Sequence, residues 1–98
     1  MKDTIHLPGI EVPQIDMQHI VDYMREKLQE VRDAETEHDR TYALGKFDGV
    51  YIVFGILCES YYAGEDVINA KKVRTQLRDE RREANEAFWK RMDKELKK

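Results

Sequence analysis

Apolar side chains recur at Met17, Val21, Met24, Leu28 and Val31, spaced by 4, 3, 4 and 3 residues. This is the seam of an amphipathic helix, and Ile20 widens it. The pattern predicts a first helix over about residues 16–36. Pro13 suits a first-turn position, and Asp16 can cap the helix or complement its dipole. From Arg32 to Thr41 only Ala34 is apolar, so the turn is expected around Thr36 to Arg40. Asp39 or Thr41 would then cap the next helix. No Gly or Pro enforces the break, and one continuous helix is the alternative.

The second segment, about 41–62, is the most apolar. Leu44, Phe47, Tyr51, Phe54, Cys58 and Tyr61 form one helical seam, and Ala43, Val50, Val53 and Leu57 form another beside it. The run from Val50 to Phe54 has strong β propensity, but the two seams favour a helix. A helix apolar on two sides is a central one, packed by more than one neighbour. Gly45, Gly49 and Gly55 each cost about 1 kcal/mol of helix propensity relative to Ala, which is tolerable where another helix approaches closely.

Gly64 can end this helix in the left-handed conformation, and Glu65 and Asp66 suit the first turn of a third. That helix is expected over 65–95. Its sparse stripe is Val67, Ala70, Val73, Leu77, Ala84, Phe88, Met92 and Leu96. At roughly 46 Å against roughly 31 Å for the second helix, the third should overhang its neighbour. An overhang ending in Phe88, Trp89 and Met92 is hard to keep exposed in a monomer and argues for self-association.

Residues 1–15 are broken by Pro8-Gly9 and Pro13 and read as an extended arm. Ile5, Leu7, Ile10, Val12 and Ile15 would let it cap its own core or cross onto a neighbouring subunit. The predicted fold is therefore all-α: an arm over 1–15, then one helical domain over 16–98 with three helices in a hairpin or bundle.

Composition adds constraints. Leu, Ile, Val and Phe together number 23 of 98 residues, a core that stabilises a lone domain only marginally and favours a dimer or larger assembly. Cys58 is the sole cysteine, which rules out an intramolecular disulfide and argues against a cysteine-based zinc site. No apolar leader opens the sequence, and the longest nearly unbroken apolar run, Val50 to Cys58, has nine residues against about 20 for a bilayer span. A soluble, cytoplasmic protein without a membrane partner is expected.

Charge is uneven. Residues 1–38 carry a net −5, residues 39–66 a net −3 and residues 67–98 a net +5. The acidic front and basic tail can attract each other within a bundle or between subunits, or present a basic face to an anion.

Few residues suggest catalysis. Asp16-x-x-His19 and Glu35-x-x-His38 have the form of di-iron ligand pairs, but both are expected on the first helix, about 28 Å apart, too far to share a metal. Cys58 lies on an apolar seam, which predicts a buried thiol with a raised pKa. Glu26 and Glu30 are four residues apart and Glu59 stands alone in an apolar helix, unlike the facing carboxylate sets of nucleotide-hydrolysing bundles. No enzyme activity, metal or cofactor is expected.

Lys71, Arg74, Arg78, Arg81 and Arg82 share one face of the third helix, with Lys72 close by. Arginine forks suit phosphate or carboxylate. Asp79, Glu80 and Glu83 are interspersed, so this is either a solvated face, a partner for the acidic helices, or a site for a small phosphate-bearing ligand. Tyr61, Tyr62 and Trp89 are candidate anchors for stacking or for a protein interface. Duplex DNA is disfavoured by the acidic chain and the lack of a DNA-binding motif.

One short motif carries a resemblance. Tyr42-x-x-Gly45-x-x-Asp48-Gly49 opens the apolar helix. This resembles a pattern found in small helical accessory proteins of bacteriophages and prophages, and it covers about 20 of the 98 residues. The resemblance implies origin in a mobile element and action by binding. Some such proteins inhibit host defence nucleases such as CRISPR effectors, and others are oligomeric sponges for cyclic-nucleotide signals. The leading expectation is a non-enzymatic inhibitor of a host protein. The alternatives are a nucleotide sponge using the basic face and a structural or assembly component.

Overall fold

The computed structural model describes residues 5–7, 10–12, 17–61 and 65–96, with side chains described over 17–60 and 68–96. The fold is all-α. Helices α1 (Met17–Asp33), α2 (Glu37–Tyr61) and α3 (Glu65–Leu96) follow a short hairpin of strands β1 (Ile5–Leu7) and β2 (Ile10–Val12). The strands are antiparallel, with Ile5 opposite Val12, His6 opposite Glu11 and Leu7 opposite Ile10. The expected packing of an arm along a groove concerns side chains outside the described residues.

The α1 seam behaves as its spacing dictates. Met17, Val21, Met24, Leu28 and Val31 are all buried. They meet Ala43, Leu44, Phe47, Phe54 and Cys58 of α2 and Ala70, Leu77 and Ala84 of α3 in one core. Phe47, Phe88, Met24, Leu77 and Val31 are fully enclosed, and each such side chain contributes roughly 1.5–3 kcal/mol. The helices run up, down and up. Arg25 meets Glu80 and Arg32 meets Arg91, so α1 and α3 are parallel.

The turn falls earlier than expected, at residues 34–36, and α2 starts at Glu37. The backbone N–H of Asp39 donates to Thr36 Oγ1 at 3.1 Å, which makes Thr36 the N-cap in place of Asp39 or Thr41. Glu37 and Asp39 then complement the first-turn dipole. The Glu35-x-x-His38 pattern therefore straddles the turn and does not lie on α1.

The aromatic end of α3 is also placed differently. Phe88 is fully buried, with Trp89 edge-on to it at 5.0 Å between centroids. Arg40 of α2 lies over both rings, at 5.5 Å and 4.9 Å. Arg91 donates to the carbonyls of Arg32 and Ala34, satisfying acceptors that the end of α1 leaves open. This end of α3 thus closes over the α1–α2 corner. It is no overhang at Phe88, and the argument for self-association from an exposed Phe88 falls away.

Candidate interaction surfaces

The basic stripe of α3 splits in two. Arg81 and Arg74 turn toward α2. Arg81 makes a two-bonded fork with Asp48. Arg74 lies 3.9 Å from Glu59, stacks over the Tyr51 ring at 5.9 Å, and its backbone carbonyl accepts from the Tyr51 hydroxyl at 3.1 Å. A Cβ at Gly55 would sit 2.8 Å from Arg74 Nη2, so the missing side chain makes room for the guanidinium. Lys71, Arg78 and Arg82 are exposed, with Asp79 3.9 Å from Arg78 and 3.6 Å from Arg82. The acidic partners of Arg74 and Arg81 lie on α2; α1 contributes the separate Arg25–Glu80 pair at 3.2 Å.

Trp89 is 43% exposed, with its ring edge-on to Phe88 and Arg40 lying over it. The side chains of Tyr61 and Tyr62 lie outside the described residues. The structure therefore brings Arg74 and Arg81 together with α2, keeps Lys71 and Arg78 outward, and sets Trp89 apart at the corner end of the bundle.

Cys58 is buried on the α2 seam, and burial raises its pKa above the ordinary 9.0, with Arg74 opposing and Glu59 adding to the rise. Among the described residues no three His, Cys, Asp or Glu side chains gather as a metal site. Glu59 is largely exposed.

The surface that sequence reasoning missed lies on α2. Ile52 is 65% exposed, Ile56 59%, Val53 53% and Tyr42 62%. Tyr42, Gly45, Gly49, Ile52 and Ile56 step by 3, 4, 3 and 4, a third seam running along the outside of the helix. Ideal Cβ atoms at Gly45 and Gly49 meet nothing within 4 Å. A shallow depression there is lined by His38, Thr41, Tyr42, Gly45 and Lys46. Val53, expected in a buried seam, belongs to this open side.

The same exposed apolarity makes α2, over Glu37–Ser60, long and apolar enough to cross a membrane by length and composition. The expectation against a span rested on unbroken runs, whereas the full helix stays apolar on average despite Lys46 and Asp48. Asp48 is held by Arg81, and one flank of α2 packs against α1.

Compared with known protein families, curated proteins and solved structures, the chain matches none.

Proposed function

We propose that this is a non-enzymatic interaction protein of phage or mobile-element origin that acts in the cytoplasm by binding and inhibiting a host protein. The observation that carries this reading is the Trp89 platform. A tryptophan packed edge-on to Phe88 and covered on one side by Arg40, yet 43% exposed, is an aromatic anchor already held in place. Little rotamer freedom remains to be lost when it is covered, and Trp and Arg carry a large share of binding energy at protein interfaces. The mobile-element origin rests on the Tyr42-x-x-Gly45-x-x-Asp48-Gly49 resemblance.

The sponge reading draws on Lys71, Arg78 and Arg82, which face solvent along α3. It is the weaker reading, because Arg74 and Arg81 are engaged by α2 and would have to leave Glu59 and Asp48 to meet a phosphate.

The test is photo-crosslinking from position 90 in bacterial cells, with mass spectrometry of the products. The expected result is one host protein, lost on Trp89→Ala while helicity is kept. Self-crosslinks alone would favour an assembly component. A nucleotide seen by native mass spectrometry, and lost on Lys71→Glu/Arg78→Glu, would replace the inhibitor with the sponge.

A further inference from the structure

The outer seam of α2 is size-coded along its length. Its N-terminal half carries Gly45 and Gly49, and its C-terminal half carries Ile52 and Ile56. All four positions are exposed. A seam with hollows at one end and knobs at the other is complementary to itself when reversed.

We propose that the α2 outer face binds a second copy of this chain, as an antiparallel helix pair about a two-fold axis. In the register that the spacing dictates, Gly49 faces Ile52 of the second copy and Gly45 faces Ile56 of the second copy, each pair twice. The depression beside Tyr42 and Gly45 receives the Ile56 side chain. Such alternation is the layer pattern of antiparallel coiled coils, and glycine in the hollows lets the backbones approach closely. The contact is isologous, so it closes at two copies.

The area is that of a small interface. Tyr42, Ile52, Val53 and Ile56 are each more than half exposed. Together they offer on the order of 400 Å² per copy, so two copies approach the ~1,000 Å² scale of a specific interface once the glycine backbone is added. Arg40 and Trp89 lie on the far side of α2 and stay open in this dimer.

The test is sedimentation equilibrium over micromolar concentrations. The expected mass is twice the 11.7 kDa chain. Gly49→Leu fills a hollow that touches nothing in its own chain, and should give a monomer with unchanged helicity and melting cooperativity. A folded monomer at all concentrations overturns the proposal. So does a dimer indifferent to Gly49→Leu. A chain that is monomeric alone and floats with phosphatidylcholine–phosphatidylglycerol vesicles would assign the face to lipid instead.

Discussion

Arg81 closes a fork on Asp48, Nε to Oδ1 at 2.7 Å and Nη2 to Oδ2 at 2.9 Å, and so ties α3 to α2. The hydrogen bond to Asp48 raises the guanidinium pKa further, against the opposing effect of burial. Both side chains are more than a third exposed, so water screens the pair. Asp48→Ala should cost about 1 kcal/mol, read from the urea midpoint. Arg81→Lys keeps the charge but loses the fork and should fall between the parent and Asp48→Ala. A double-mutant cycle with no coupling would show the fork to be energetically idle.

Phe54 is buried on the core seam of α2 and Phe47 stacks on Tyr51 at 5.6 Å. Phe54→Ala should destabilise by about 3–5 kcal/mol, since the neighbouring helices can close only part of the space. Thermal unfolding is the check. A shift of one or two degrees would place the core elsewhere.

Thr36→Ala should cost about 1 kcal/mol, because it leaves the Asp39 amide without its cap. Thr41→Ala, at the position the sequence also offered as a cap, should stay within about 0.5 kcal/mol. Paired denaturant titrations of the two variants separate these outcomes.

Alkaline pH should weaken the fold in two steps. The folded pKa of Cys58 is raised above 9.0 by burial, so its contribution is present below 9.0 and is lost as pH rises through the folded value. Lys27 is raised above 10.5, first by its hydrogen bond to Glu30 and against desolvation, so its contribution disappears at higher pH still. Melting temperature should therefore decline beyond about pH 9, and Cys58→Ala should flatten the first part of that decline. In the native state at neutral pH, Cys58 should react with a thiol reagent far more slowly than after unfolding, since it is both buried and protonated.

The α1 seam was legible because five apolar residues at strict 4-3 spacing bury one face and leave the rest polar. The inner seam of α2 was legible for the same reason. The outer seam was not assigned, although Tyr42, Gly45, Gly49, Ile52 and Ile56 keep the same spacing, because two glycines carry no hydrophobic weight and break the stripe to the eye. The Thr36 cap was missed because the polar stretch from Arg32 to Thr41 offers Thr36, Asp39 and Thr41, and only the backbone path chooses among them. The inward turn of Arg74 and Arg81 was hidden because a charged stripe looks the same in sequence whether it faces water or an acidic neighbour. Gly55 opposite Arg74 was the available clue, a gap in α2 shaped for a long side chain.

The Arg91 bonds to Arg32 and Ala34 also order events in time. Arg91 is synthesised 57 residues after Ala34. At ordinary ribosomal speeds that interval lasts roughly 3–11 s. Throughout it, the α1–α2 elbow emerges with carbonyls that only water can satisfy and with the Phe88 seat vacant. The nascent hairpin must stay soluble without its clasp, and the latch snaps shut only when the distal part of α3 leaves the exit tunnel.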